Sequence, residues 1–439
     1  MRIAVFGLGK LGLPMAVLFA SRGHYVVGVD NDSNLITELR RGVCKLQESG
    51  VESLLNTHSS KLTFTTDPKV AMLDSQISFI MVPTPSNLIG TFTSDYIIDV
   101  VKKIAPIVPQ NHIVVVTSTV TPGTTANEIK PILESSGRVC GKDFGLLYNP
   151  EFIALGSVIR DMSSPDGILI GESDKHSGDV LEEFYHTICN NRPQVSRMSW
   201  WNAEVAKLAL NVTITAKISI VNTFARVCEK IPGGNIDDVA RFLGSDSRIG
   251  PKYLSSGLGF GGPCFPRDNR AFISFATLLG ASQCPLQIAT DALNESQVAH
   301  AVSVAIKMLS GVKAPTVSLL GLTYKTNTPV IDESRAVKMA QRMSVLANLR
   351  VYDPQGMNNA QRVLKSERIT FTDGVTSCIA GSDLCIVATT WDEFKVITPV
   401  LLSLGMRRPA LFDCWRMLKR EEFERENIPY HAIGVNSEG

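Results

Sequence analysis

The sequence predicts an α/β protein in which two doubly wound parallel-sheet domains flank a mostly helical bridge. Three observations carry this reading. Residues 1 to about 195 alternate short apolar runs with amphipathic, helix-like stretches. Residues 200 to 310 lose that rhythm and carry long helical patterns, and from Thr316 the alternation returns. Length agrees, since 439 residues correspond to about three domains at roughly 150 residues each. The shifts divide the chain into 1–198, 199–310 and 311–439.

In the first part the strand candidates are Ile3–Phe6, Tyr25–Val29, Leu62–Thr65, Ile77–Val82, Ile113–Thr117, Gly145–Leu147, Ile168–Ile170 and Gln194–Arg197. Helix-start signals lie between them: Ser33 opens a helix through Arg40, and Asp67-Pro68 is an N-cap and first-turn pair. Such alternation implies a parallel sheet covered by helices. In the middle part Glu204 to Glu229 has no Gly or Pro for 26 residues and stops at Pro232-Gly233-Gly234. A second long helix is expected from about Leu286 to Leu309, with a shorter one near Asp237–Leu243 and a glycine-dense stretch over 250–268. In the last part the strands are Val317–Leu320, Leu349–Tyr352, Arg368–Thr372, Leu384–Ala388, Ala410–Phe412 and Tyr430–Ile433.

Composition excludes several classes. With 44% hydrophobic and 19% charged residues the chain has ample material for real cores and is far from a disordered composition. Lys and Arg total 43 against 42 Asp and Glu, so no global field recruits nucleic acid or an anionic membrane. Any bound anion must be held by local geometry. Nine scattered cysteines, at 44, 140, 189, 228, 264, 284, 378, 385 and 414, form no CxxC pair. That pattern points to no disulfide framework, no metal site and a reducing compartment. Met1-Arg2 leads straight into a strand, and the glycines from Gly7 on interrupt any signal-like run. The longest uncharged stretches, such as 104–127, are broken by Pro106, Pro109, Asn111 and Gly123, so no bilayer span is expected. A soluble, cytoplasmic protein is the expectation.

Gly7-Leu8-Gly9-Lys10-Leu11-Gly12 follows a strand and opens a helix, and Asp30 ends the second strand eighteen residues after Gly12. The glycines allow a tight turn and close backbone approach, while the helix N-terminus offers N–H groups to a pyrophosphate. Asp30 would accept from the ribose hydroxyls and repel a 2′-phosphate, which favours NAD over NADP. A bare glycine turn serving only helix packing is the plain alternative, and the strand–turn–helix–strand–Asp context argues against it. Pro83-Thr84-Pro85 and Ser118-Thr119-Val120-Thr121-Pro122-Gly123 follow strands at their carboxyl ends, the ligand side of such a sheet. Either alone would read as an ordinary turn.

The most unusual segment is Gly257-Leu258-Gly259-Phe260-Gly261-Gly262-Pro263-Cys264-Phe265-Pro266-Arg267-Asp268. Its glycines let a backbone wrap closely round a ligand, and Arg267 and Asp268 lie within reach of Cys264. A cysteine near cationic groups favours thiolate. Beside a nicotinamide, a thiol nucleophile suggests aldehyde oxidation through a thiohemiacetal and a thioester. For most of the other cysteines the bland reading, a small buried hydrophobe, is accepted. Lys207 and Asn211 are spaced i, i+4 in an otherwise apolar stretch and share a helix face. Such a pair can hold a water, take an alcohol proton and stabilise an oxyanion.

Together these motifs resemble the UDP-glucose/GDP-mannose dehydrogenase family over nearly the whole chain. The resemblance rests on GLGKLG with Asp30, Tyr148-Asn149-Pro150-Glu151-Phe152, Lys207-Leu208-Ala209-Leu210-Asn211, Arg248-Ile249-Gly250, the segment around Cys264, Gly321-Leu322-Thr323-Tyr324-Lys325, Tyr352-Asp353-Pro354 and Trp391-Asp392-Glu393-Phe394. It implies two Rossmann-like domains joined by a helical dimerisation domain. The reaction it implies is oxidation of a sugar primary alcohol to a carboxylate in two hydride steps, with two NAD per sugar. By that resemblance Cys264 is the nucleophile, Lys207 and Asn211 serve the alcohol and oxyanion, and Asp268, Thr119 and Glu151 assist the water and base chemistry. Gly7 to Gly12, Asp30, Pro83, Thr84, Ser118, Thr119 and Arg267 would hold the cofactor. Glu151, Phe152, Lys207, Asn211, Tyr253, Ser255, Gly257, Gly259, Phe260, Gly261, Tyr324, Lys325 and Arg416 would hold a nucleotide sugar in the cleft between the sheets. Arg248 would reach the neighbouring subunit's site, which implies a homodimer or larger assembly.

Three positions depart from the family pattern. Leu155 stands where a second acid is usual, Asp332 where an arginine would meet the cofactor phosphates, and Asp413-Cys414-Trp415-Arg416 where Asp-Gly-Arg is usual. Arg335 is the nearby candidate to replace the arginine missing at 332. A UDP-hexose such as UDP-glucose is the first substrate expectation, with a UDP-N-acetylhexosamine or GDP-mannose as alternatives. A one-step β-hydroxyacid-type dehydrogenase leaves Cys264 and the second sheet unexplained. A non-catalytic NAD- or nucleotide-sugar-binding protein is the remaining reading.

Overall fold

The computed structural model describes residues 1–281 and 284–436. The chain divides into two compact units, Met1–Leu210 and Asn211–Gly439, with the helix Trp200–Cys228 running through the division.

The first unit is built on eight strands: β1 (Arg2–Phe6), β2 (Tyr25–Val29), β3 (Leu62–Thr65), β4 (Ile77–Ile80), β5 (His112–Val116), β6 (Phe144–Tyr148), β7 (Gly167–Glu172) and β8 (Gln194–Met198), in the order β3-β2-β1-β4-β5-β6-β7-β8. Every strand expected from the sequence is present. The sheet is not parallel throughout, however, because β7 pairs antiparallel with β6 through Leu147↔Glu172 and Tyr148↔Gly171. The connection between them carries only the short helix Val158–Ser163, rather than a crossover helix that would return the chain in the same direction.

Both faces of this sheet are covered, so its strands read as continuous apolar runs rather than alternating ones. On one side Ile3, Val5, Phe79 and Ile113 pack with Phe19, Leu181 and Phe184; on the other Ala4, Phe6, Ile80 and Val114 pack with Ile97, Val101 and Ile104. Phe19 and Phe184 meet edge to face at 4.9 Å. Each such buried phenylalanine contributes about 1.5–3 kcal/mol. The helix Ser33–Arg40 is capped one residue earlier than expected: Asp32, not Ser33, accepts from Asn34 N and Leu35 N. Asp67 caps Pro68–Met72 as expected.

The second unit holds the rest of the long helix, the helices Ile236–Ser245, Phe265–Leu278 and Pro285–Met308, and a six-stranded sheet. Its strands are β9 (Thr316–Leu320), β10 (Asn348–Tyr352), β11 (Ile369–Phe371), β12 (Leu384–Val387), β13 (Leu411–Asp413) and β14 (Tyr430–Ala432), all parallel in the order β11-β10-β9-β12-β13-β14. Val298, Ala301 and Ala305 pack against Val317, Leu319, Met339 and Ala340 in a core shared by helices and sheet. The helix Phe265–Leu278 overlaps the end of the stretch read as glycine-dense: the glycines stop at Gly262, and Cys264 and Pro266 supply the helix start.

Among the described residues, Trp200–Cys228 is long and apolar enough to cross a bilayer by length and composition, contrary to the expectation that no segment would be. It is a core helix, because Glu204 and Lys207 in the first unit and Asn222 in the second are buried on it and hydrogen-bonded to the fold.

Candidate active site

In the first unit the glycine turn has the form a dinucleotide needs. Gly7 is left-handed (φ 91°) and donates to Val29 O at 2.8 Å, and a side chain there would strike Met81 O. Gly12 starts the helix Gly12–Ser21 hard against Gly7 O, whereas Gly9 faces open space. Gly9 and Lys10 are exposed at the turn. Asp30 Oδ2 accepts from Leu8 N at 2.8 Å and Oδ1 from Asp32 N at 3.0 Å, which leaves both oxygens further lone pairs for ribose hydroxyls. Leu8 and Leu11 contribute packing: Leu8 is 2% exposed against Gly28, with its N–H already given to Asp30, and Leu11 packs on the core.

The two neighbouring loops are fastened together. Ser118 Oγ accepts from Val82 N at 2.9 Å and donates to Val82 O at 2.7 Å, so this hydroxyl joins the loops rather than facing outward. Pro83 is exposed beside it, Thr84 is buried, and Thr119 is part-buried on the second loop. That loop is anchored by Glu204, wholly buried, which accepts from Gly123 N at 2.5 Å and Thr125 N at 2.9 Å. Burial pushes the Glu204 carboxyl up, partly offset by these donors. Nothing in the sequence around Glu204 sets it apart from a surface acid.

Glu151 follows β6 with Asn149 and Pro150. Lys207 Nζ donates to Glu151 O at 2.6 Å and lies 4.6 Å from the centre of the Phe152 ring. The lysine is 7% exposed, which is the explanation its apolar surroundings demanded. Burial raises the Glu151 carboxyl from 4.5 to about 7, against the opposing hydrogen bond from Tyr185 and the Lys207 charge. A carboxyl poised near neutrality suits general acid–base work. Leu155 packs on the apolar core together with Ile153, so its position is spent on packing.

In the second unit Cys264 is exposed at the N-terminus of Phe265–Leu278. Asp268, one turn on, is 1% exposed: its Oδ2 accepts from Asn211 Nδ2 at 2.7 Å and its Oδ1 from Arg267 at 3.2 Å. Asn211 and Lys207 sit one turn apart on the long helix, as their spacing predicts.

The loop before Cys264 is clamped by three buried amides that the sequence did not single out. Gly257 N donates to Asn222 Oδ1 (3.0 Å) and Gly257 O accepts from Gln297 Nε2 (2.8 Å). Asn294 closes on Phe260 from both ends, Oδ1 accepting from its N–H (2.8 Å) and Nδ2 donating to its carbonyl (2.9 Å). Gly259 lies against Asn294, Gly261 against Glu333 O, and Gly257 against the Trp415 ring, each without room for a side chain. Ser255 and Tyr253 are exposed, Tyr253 meeting Phe265 edge to face at 6.4 Å. The Tyr324 ring stands over Gly262, with Lys325 Nζ 5.9 Å from its centre.

Two arginines are placed differently from expectation. Arg335 does not replace the missing arginine at 332: it is 4% exposed and bound to Glu295 (2.7 Å) and Glu333 (2.8 Å). Asp332 instead uses its carbonyl, which accepts from Gly262 N at 2.9 Å. Arg416, expected at the substrate, gives Nε to Asp237 (2.9 Å) and its other nitrogens to Ile433 O (2.6 Å) and Ser256 O (3.1 Å), so it fastens the loop from behind. Arg248 projects, 86% exposed, in a fork with Asp246.

These parts define an NAD-dependent oxidoreductase as the class of protein. Family comparison specifies it further. Models of the UDP-glucose/GDP-mannose dehydrogenase family match in three consecutive pieces: its NAD binding domain over residues 1–189, its central domain over 201–296 and its UDP binding domain over 318–420. The chain belongs to this family. It is 32% identical over 443 residues to a UDP-glucose 6-dehydrogenase of Rhizobium meliloti (strain 1021), covering 99% of each chain. It is 31% identical over 439 residues to UDP-glucose 6-dehydrogenase YwqF of Bacillus subtilis (strain 168), covering 99% of this chain and 98% of that one. A solved UDP-glucose dehydrogenase from the hyperthermophilic archaeon Pyrobaculum islandicum superposes with a TM-score of 0.87 at 31% identity, over 99% of this chain and 98% of the other.

Proposed function

We propose that the protein oxidises the C6 primary alcohol of a UDP-hexose, UDP-glucose first, to the carboxylate in two steps, and that Cys264 carries the intermediate. The observation that carries this reading is Cys264 itself, an exposed thiol at a helix N-terminus, directly after a backbone loop whose polar groups are held from behind. NAD supplies the hydride acceptor, and the Gly7–Gly12 turn with Asp30 fits it, since Gly9 is open and Asp30 retains acceptor capacity. Lys207 and Asn211 serve the alcohol and the developing oxyanion. The Cys264 thiolate adds to the aldehyde carbon; hydride loss from the thiohemiacetal leaves a thioester; water, deprotonated by Glu151, cleaves it and returns the thiol. Alcohol, two NAD and one water thus give carboxylate, two NADH and three protons.

In this reading residues 1–198 bind NAD, 199–310 pair subunits and 311–439 bind the nucleotide sugar. A homodimer is supported by Ile220, Phe224 and Val227, an apolar stripe on the long helix that is 39–56% exposed, and by the projecting Arg248. The scattered cysteines support a cytoplasmic location. The test is NADH formed per sugar consumed across a panel of nucleotide sugars. Two NADH with an acid product is the expected result for UDP-glucose. The Cys264→Ser variant should form no acid, with acid output down by at least about a thousandfold. One NADH per sugar, or full activity in Cys264→Ser, overturns the reading.

A further inference from the structure

Glu151 has a neighbour that the reaction above does not use. Tyr185, on the helix Lys175–Ile188, is 6% exposed, and its hydroxyl lies 2.5 Å from Asn149 Oδ1 and 3.3 Å from Glu151 Oε1. A phenol has one hydrogen to give. Asn149 is itself oriented, because its Nδ2 donates to Leu169 O at 2.9 Å, and that turns Oδ1 toward the phenol. The shorter contact therefore takes the phenol hydrogen, and the phenol's lone pairs face the Glu151 carboxyl. That arrangement suits a protonated Glu151, which donates to the phenol oxygen. Once Glu151 ionises, the same phenol hydrogen is the one it must share with Asn149.

We propose that Tyr185 is a positioning residue for Glu151, holding its carboxyl in place through a single hydrogen divided between the carboxylate and Asn149. The inference rests on the role given to Glu151 above. Within Asn149–Gly156 Glu151 is the one acid, since Leu155 stands at the other position, so this segment has no second carboxyl to share its role. Among the described residues, Lys207, through the main-chain carbonyl and its charge, and Cys189 at the end of the tyrosine's own helix are titratable groups that also face it. Tyr185 is raised well above its ordinary range by burial and by the Glu151 charge, so it stays a phenol and acts only through its hydrogen.

The test is a pH series on Tyr185→Phe, which keeps the ring. Losing the donor destabilises the ionised carboxyl, so the acid limb of the kcat profile should move up by about half to one pH unit. At pH 7 kcat should fall about two- to fivefold, while KM for the sugar stays within about twofold. Asn149→Ala should move the limb the other way, because the phenol hydrogen is released to Glu151. In a Glu151→Gln background Tyr185→Phe should add nothing. An unmoved limb in Tyr185→Phe, or equal shifts of one sign in both variants, overturns the proposal. Carboxyl titration by infrared difference spectroscopy, with Glu151→Gln as the blank, reads the same shift without turnover. A shift there in a protein that reduces no NAD would sink the proposed activity and leave the Tyr185 assignment standing.

Discussion

The two sheets share one plan and diverge at one carboxylate. Strands run 3-2-1-4-5-6 from β1 to β6, and β9 to β14 repeat that order. Gly7 follows β1 with φ 91° and bonds Val29 O at 2.8 Å; Gly321 follows β9 with φ 95° and bonds Tyr352 O at 2.8 Å. Each second strand leads to an aspartate that takes the N–H of the residue after the glycine, Asp30 from Leu8 at 2.8 Å and Asp353 from Leu322 at 2.7 Å. There the likeness ends. Asp353 is 1% exposed, and its oxygens also accept from Thr323 N, Thr323 Oγ1, Trp391 Nε1, Gln355 N and Gly356 N. A carboxylate so surrounded has no capacity left for a ribose, and the chain after Gly321 stays irregular until the helix Arg335–Met343. The comparison teaches that the strand–glycine–strand–Asp plan builds a crossover in both sheets, and that only in the first does the aspartate keep the unspent lone pairs the proposed dinucleotide site needs.

That contrast breaks if the two aspartates respond alike to the same substitution. Asp353→Ala should cost about 3–5 kcal/mol, because several buried N–H groups lose their acceptor at once. Thermal or urea unfolding of the second unit measures it, and KM for NAD should stay within about twofold in the folded protein. Asp30→Ala should do the reverse, weakening NAD by about ten- to a hundredfold in a binding titration while costing about 1 kcal/mol of stability. Trp391→Phe sharpens the point with the smallest effect. It removes one indole donor from Asp353 and should destabilise by about 1 kcal/mol, without conferring NAD binding on the second sheet.

Much of this was legible in the sequence. The fourteen strands of the described residues lie where β-branched and apolar runs placed them, since strands buried on both faces leave a continuous apolar signature. The glycine turn and the residues proposed to act, Asp30, Cys264 and Lys207, stood out too, because each is a residue type whose chemistry is wasted in a bland role. Tyr185, Glu204, Asn222, Asn294 and Gln297 were not. Their neighbours in sequence are ordinary helix positions, and their partners lie 34 residues or more away along the chain. The antiparallel step between β6 and β7 was equally silent, because strand periodicity does not encode direction.

Arg335 and Arg416 show the limit most clearly. As sequence they are cations near a phosphate-binding pattern; in the fold Glu295, Glu333, Asp237 and three carbonyls claim their donors. The sequence by itself determined where strands, turns and reactive atoms fall, because those depend on residue type and local spacing. The tertiary structure decided which aspartate, which arginine and which tyrosine hydrogen is still available. Hydrogen-bonding capacity is finite, and it is spent on partners that only folding brings within 3 Å or so of one another.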